Sequence, residues 1–344
     1  MDGDTRTDIK LLTPEALTSV VAELGEPRFR AKQLIRWLYH RRARSFDEMT
    51  DLPAGLRERL GGQFTLGTPT LEARQLSADG TRKYLWRFPD GATVESVGLP
   101  TEDRLTVCFS TQAGCAMACR FCATGEGGFT RDLGAGEIVD QVTAVSDDFG
   151  ERVSNAVAMG QGEPFQNYRA TLGALRLMNA KDGLGIGARH LTVSTCGLIP
   201  GIERFAQEPE QFTLAVSLHS AVQSTRDALM PAVRRYPISQ LRRALESYGE
   251  RTGRRPSLEY ALLDGVNDTD EELAALVAFC RGLLCHVNLI PANPVSTTGF
   301  ARSAESRVRA FTVRLQQVGV EVSVRAERGT DIDAACGQLT QRHA

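Results

Sequence analysis

Along the chain the spacing of apolar positions changes character twice. Leu17, Val21 and Leu24 recur at helical intervals behind Thr13-Pro14-Glu15, a run suited to opening a helix, and Ala31, Leu34, Ile35 and Leu38 repeat that spacing in a second segment. Ser45-Phe46-Asp47-Glu48 has the form of a capping box and predicts a third helix starting there. Between 70 and 97 the pattern turns to strand-like runs separated by Asp79-Gly80 and Asp90-Gly91, pairs that favour tight hairpin turns. From about residue 104 strand and helix alternate. Apolar runs at 105–109, 153–159, 190–194, 212–218, 257–263, 286–290 and 320–324 predict strands. Helical faces are predicted by Ile138, Val142, Val145 and Phe149, by Ile238, Leu241, Leu245 and Tyr248, and by Val308, Phe311, Leu315 and Val318 with Gly319 as a stop. Such alternation calls for parallel strands joined by right-handed crossovers, because each helix must return to cover the sheet. The fold class expected is α/β, with a helical accessory region over 1–66, an antiparallel extension over 67–103 and a main region over 104–344.

Composition narrows this picture only a little. The 344 residues carry a formal net charge of −2, so overall charge makes no case for a nucleic-acid partner, and any such case needs a local patch. The stretch 26–44 supplies one: Arg28, Arg30, Lys32, Arg36, Arg41, Arg42 and Arg44 stand against Glu26, with Phe29, Trp37 and Tyr39 interleaved. Phosphate contacts and base stacking would both be served there, although a charged helix face is more commonly just solvated. The polar, acidic start MDGDTRTDIK and the absence of a long apolar run predict a soluble, cytoplasmic, monomeric protein with no membrane partner.

Half of the eight cysteines, Cys108, Cys115, Cys119 and Cys122, fall within fifteen residues. In a reducing compartment such crowding points to metal binding or catalysis rather than to disulfides. Three thiolates at Cys115-x3-Cys119-x2-Cys122 could hold three irons of a 4Fe-4S cube and leave the fourth open, or could form a zinc knuckle with Cys108 as fourth ligand. Cys108 sits inside the strand-like LTVCF rather than on the loop. Taken alone, Cys336 reads as a small buried residue, and Gly329 and Gly337 would let a loop carry it inward. Gly160-Gln161-Gly162, taken alone, is a tight turn.

C-x3-C-x2-C with Phe121 before the last cysteine resembles the signature of the radical S-adenosylmethionine (SAM) superfamily. FRAKQLIRWLY, MTDLP, AVSLHS and RGTDIDAACGQL extend the resemblance to the RlmN and Cfr family of RNA methyltransferases, over about 28–339. This resemblance implies a partial (β/α)6 barrel and a 4Fe-4S cluster on Cys115, Cys119 and Cys122. It implies two SAM molecules per turnover, with contacts from Gly162, Glu163, Ser194, Ser217, Leu218, His219 and Asn293. It further implies that Cys336 carries an S-methyl intermediate, that Cys108 resolves a covalent protein–RNA adduct through a transient disulfide with Cys336, and that Glu95 accepts the ring proton. A solvated strand carboxylate is the other reading of Glu95. The implied reaction is methylation of adenosine C2 in 23S ribosomal RNA and tRNA, with a donor such as flavodoxin or ferredoxin supplying electrons; a C8 methylator and a non-catalytic metal-bearing RNA-binding module are the competing readings. Gln161 departs from the family's usual GMGEP, and Cys196 has no implied role.

Overall fold

The structure is a computed structural model that describes residues 6–292, 299–326, 328–335 and 337–339. Three helices open the chain. Helix α1 (Pro14–Glu23) begins where the sequence predicts, with the Thr13 hydroxyl accepting from the Ala16 amide at 3.3 Å and with Leu17 and Val21 buried. Helix α2 (Phe29–Ile35) runs on through a single wide turn, Arg36–His40. The predicted third start is displaced. Ser45 caps nothing, Phe46–Glu48 makes only a short tight turn, and α3 spans Ala54–Gln63. Pro53 explains this, because a proline disfavours helical backbone at the preceding residue and is well tolerated where a helix begins.

Next come β1 (Thr70–Leu76), β2 (Arg82–Arg87) and β3 (Thr93–Thr101), an antiparallel meander turned at Gly80 and Gly91, both with positive φ. Strand β4 (Arg104–Cys108) is the seam of the molecule: it pairs antiparallel with β3 and parallel with β5 (Val153–Ala158). Strands β6 (Leu191–Thr195), β7 (Thr213–Ser217), β8 (Ser257–Leu262), β9 (His286–Pro291) and β10 (Glu321–Val324) follow in parallel. All ten lie in one sheet whose spatial order equals their sequence order.

Helices α4 (Ala135–Phe149), α5 (Tyr168–Asn179), α6 (Ile199–Phe205), α7 (Gln223–Leu229) with α8 (Ile238–Thr252), α9 (Asp270–Cys280) and α10 (Glu305–Gln317) make the crossovers. A sheet wound in one direction with no reversal is a barrel in construction, and here β4 continues into the meander instead of meeting β10, so the barrel stays open. The predicted helical faces are buried: Ile138, Val142 and Val145 on α4, Leu241, Leu245 and Tyr248 on α8, Phe311 and Leu315 on α10. The three N-terminal helices share one continuous hydrophobic core with the sheet. Buried Lys10 fastens them to α4 through an ion pair with Asp140 at 3.0 Å.

Candidate active site

The ends of β5 to β9 converge on a cavity of about 1150 Å³ including its open mouth. Cys115, Cys119 and Cys122 line it from a loop after β4. Backbone conformation builds that loop. Gly114 has φ +75°, and a Cβ there would lie 2.0 Å from the Gly128 carbonyl, which the Cys115 amide also approaches at 2.7 Å. Ala118 takes the left-handed conformation, and the Cys122 amide donates to the Cys119 carbonyl. Burial drives the Cys115 thiol up to about 12, with Cys119, Cys122 and Glu163 adding to the rise, and burial likewise raises Cys122. Thiols so placed ionise only beside compensating cationic charge, which iron supplies. Among the described residues no three potential ligands gather as for one metal ion. A cube differs in that each thiolate binds a separate iron, so its ligands need not meet at one point. The donor set therefore fits a cube held at three corners. The zinc knuckle loses its fourth ligand, because Cys108 does not line this cavity.

Opposite the cysteines stands Gly160-Gln161-Gly162-Glu163, just beyond β5. Both glycines are required by space: a Cβ on Gly160 would lie 2.7 Å from the Phe109 carbonyl oxygen, and one on Gly162, whose φ is +103°, 2.7 Å from Gln112 Cβ. Gln161 is buried, its amide donating to the Ser110 hydroxyl at 2.9 Å and its carbonyl accepting from the Thr111 amide at 2.8 Å. Glu163 is buried and its carboxyl is raised by that burial; its two oxygens accept from the Phe165 and Cys196 amides at 2.9 and 2.7 Å.

Ser194 and Ser217 line the cavity from the ends of β6 and β7. His219 lines it too, in left-handed backbone at φ +54°, its ring edge-on to Phe121 at 4.5 Å. The Ala261 amide donates to His219 Nδ1 at 2.9 Å, so a neutral ring carries its proton on Nε2. Burial, reinforced by the Arg226 charge, lowers His219 to about 3 and keeps the ring neutral. Leu218, between Ser217 and His219, has its side chain in the core and not among those lining the cavity. Asn293 and Cys336 lie outside the described residues.

Four residues at the cavity or behind it escape sequence reasoning. Glu259 and Arg325 line it, as does Cys196, whose Sγ is 4.0 Å from that of Cys119. Arg226, 1% exposed, donates to the Ser217 and Cys196 carbonyls at 2.9 and 2.6 Å and so ties together the ends of β6 and β7. Glu259 carried a signal, as a carboxylate within an apolar strand, and Cys196 stands two residues beyond Ser194; Arg226 and Arg325 carried none.

A second chamber of about 570 Å³ adjoins the first, and Met159, Arg325 and Gly337 line both. Cys108, Val97, Ala334 and Leu339 also line it and pack together. Strand register explains the company Cys108 keeps. Val97 pairs with Cys108 on one side and with Lys83 on the other, and Glu95 is two residues from Val97, so Lys83, Glu95, Val97 and Cys108 share one face of the sheet. Glu95 is fully buried, which removes the reading of it as a solvated carboxylate. The C-terminal segment is fastened from both sides. Ser77 Oγ and the Ala78 amide donate to the Asp331 carboxylate at 2.6 and 3.1 Å, and the Gly329 amide donates to Asp79 at 3.1 Å. Beyond Cys336, the Ala123 amide donates to the Gly337 carbonyl and the Thr124 hydroxyl to that of Leu339, both at 2.8 Å.

The basic stretch 26–44 is less bare than its sequence suggests. Arg36 pairs with Asp182 at 2.6 Å, Arg41 with Asp51 at 3.8 Å and Arg42 with Asp147, while Tyr39 is 1% exposed and belongs to the core. Phe29 remains 54% exposed, with the Arg30 guanidinium over its ring, and Trp37 lies beneath Arg41. Exposed ion pairs are weak, so phosphates could displace these carboxylates at little cost.

Comparisons with known proteins agree with this geometry. Residues 7–66 match the ribosomal RNA large subunit methyltransferase N-terminal domain, and residues 109–277 match the radical SAM superfamily. The chain is 48% identical to the probable dual-specificity RNA methyltransferase RlmN of Pelotomaculum thermopropionicum, with 99% of this chain and 93% of the relative covered. It is 46% identical to the protein so named from Desulforamulus reducens, covering 99% and 98%. A crystal structure of a radical SAM methyltransferase from Sphaerobacter thermophilus superimposes with a TM-score of 0.89 at 46% identity, covering 97% of this chain and 99% of the other. With the three-cysteine loop, the one-way barrel and the N-terminal helices all accounted for, the chain belongs to the RlmN family of radical SAM RNA methyltransferases.

Proposed function

We propose that this enzyme methylates C2 of adenosine in 23S ribosomal RNA and in tRNA beside the anticodon, through S-methylated Cys336 and a covalent protein–RNA adduct. An electron-poor ring carbon has no lone pair with which to attack a sulfonium methyl, so ordinary displacement cannot serve. Cys115, Cys119 and Cys122 would hold a 4Fe-4S cluster that, reduced by a donor such as flavodoxin or ferredoxin and bound to SAM, would supply hydrogen-abstracting radical chemistry. Glu163, Ser194, Ser217 and His219 would orient the cofactor, with His219 donating from Nε2, and the two adjoining chambers would separate cofactor from thiol chemistry. Cys336 takes a methyl group from one SAM, and its sulfur then carries the carbon that joins the base. Glu95 accepts the proton leaving the ring. Once the adduct has returned its unpaired electron to the cluster, the Cys108 thiolate would attack the Cys336 sulfur, forming a disulfide as the carbon–sulfur bond breaks; the electron pair of that bond passes to the released carbon, which takes up a proton to complete the methyl group.

The observation that carries this reading is the shared sheet face of Glu95 and Cys108, covered by Ala334 and Leu339 from either side of Cys336. Reconstituted protein incubated with SAM, a reductant and ribosomal RNA or tRNA should yield 2-methyladenosine after nucleoside digestion; 8-methyladenosine would overturn the regiochemistry. Cys108→Ala should trap RNA on Cys336, and normal turnover without that crosslink would remove Cys108 from the scheme.

A further inference from the structure

Lys83, on β2, is 4% exposed, and its Nζ lies 3.7 Å from Glu95 Oε1 and 3.3 Å from the Asp333 carbonyl oxygen. Burying an ammonium is expensive unless its protons find partners, and here the partners come from two separate elements. One is the carboxylate on β3; the other is the C-terminal segment three residues before Cys336. Asp333 adopts left-handed backbone at φ +51°, a conformation a non-glycine residue holds only when its surroundings enforce it. The hydrogen bonds of 328–331 reach the turn at 77–79 and the Pro100 carbonyl, so Lys83 supplies a polar link between this segment and the face that bears Glu95 and Cys108, beside the apolar packing of Ala334 and Leu339 there.

We infer that Lys83 is a positioning residue that seats the C-terminal cysteine segment over Cys108 and joins that seating to Glu95. The inference rests on the roles proposed above for Cys336, Cys108 and Glu95. Its ammonium has three protons, enough to hold carbonyl and carboxylate together. When the segment lifts, Lys83 loses the Asp333 carbonyl and keeps only Glu95. The ammonium therefore has both of its partners only while the segment is seated.

The test uses full-length reconstituted protein and four variants: Lys83→Met, Glu95→Gln, the double variant, and Lys83→Arg. The double variant leaves no buried carboxylate without its ammonium, which protects the experiment against simple misfolding. Two quantities are read: hydrogen exchange of peptides covering 328–339, and the rate at which diamide joins Cys108 to Cys336, mapped by mass spectrometry as two thiols are oxidised and the diazene is reduced to a hydrazine. In Lys83→Met and the double variant, exchange should quicken and crosslinking should slow by about tenfold, as for a segment that has lost one anchoring bond. Glu95→Gln keeps the Lys83–Asp333 bond but takes the carboxylate from the ammonium, so it should loosen the segment less than Lys83→Met does, and Lys83→Arg should restore most of the protection. Equal exchange and crosslinking in Glu95→Gln and the double variant would overturn the inference. Absence of any Cys108–Cys336 crosslink in the unsubstituted protein would instead sink the reading of the two thiols.

Discussion

Single residues at the cavity show how the local rules of the sequence become chemistry. The pair Gly160 and Gly162 reads as an ordinary turn when met alone, yet each is packed against backbone that a Cβ would strike. Gly162→Ala adds positive-φ strain to that clash, so a loss of about 2 kcal/mol or more is expected in denaturant unfolding. His219 offers a different check. Its folded pKa of about 3 lies below the ordinary histidine value, so the unfolded chain binds more protons between the two. The contribution to stability is complete above about pH 6.5 and is lost as pH falls toward 3. Nitrogen NMR should find the ring neutral from pH 5 to 8, with the proton on Nε2; an imidazolium signal at pH 6 would contradict the burial argument. The cysteine triad, Glu163 and His219 were legible because each lies within a short motif. Arg226 and Arg325 were not, because only the folded barrel brings them to the cavity.

At the scale of elements, apolar periodicity located the strands of the main region and three of the crossover helices, α4, α8 and α10, since each buries one face against the same sheet. It failed where two local signals competed. The Ser45–Glu48 box was overridden by Pro53, and Glu48 instead accepts from the Arg44 amide at 3.1 Å. Nothing in the periodicity could foresee the bond between Lys10 and Asp140, 130 residues apart. Burial raises the Asp140 carboxyl to about 6 even though Lys10 opposes the rise. The folded state therefore binds a proton more readily than the unfolded chain does, and this group's contribution to stability declines as pH rises from about 4 through about 6. Lys10→Met should cost about 3 kcal/mol at pH 7, because it strands a buried carboxylate, and clearly less at pH 5, where Asp140 protonates. Replacing both residues by apolar ones should recover most of that loss. Denaturant midpoints at the two pH values decide it, and a pH-independent loss would show that the ion pair is not the cause.

Across the whole molecule, the antiparallel meander and the cysteine loop hold the C-terminal segment between them. Asp79 and Asp331 fasten one end; Ala123 and Thr124, next to Cys122, grip the other. The Asp79 carboxyl is lowered to about 2, burial being outweighed by bonds from Thr81, Ser77 and Gly329. Its share of the docking is therefore present above about pH 4 and lost as pH falls through about 2, so the segment stays seated at working pH. Docking is reciprocal: the segment that contains the thiol proposed to carry the methyl group also steadies the loop proposed to hold the cluster. Deleting residues 328–344 should accordingly leave the barrel folded, because the hydrophobic core lies almost wholly upstream of the deletion, while freeing the amide of Ala123 and the hydroxyl of Thr124. In anaerobically reconstituted protein the truncated chain should surrender iron to a chelator about tenfold faster than the full chain, a difference of about 1.4 kcal/mol in the barrier. Its far-ultraviolet circular dichroism should be nearly unchanged. An identical rate of iron loss would mean that the cysteine loop stands without the C-terminal segment, and that the two hydrogen bonds across 123–124 serve only to anchor Cys336.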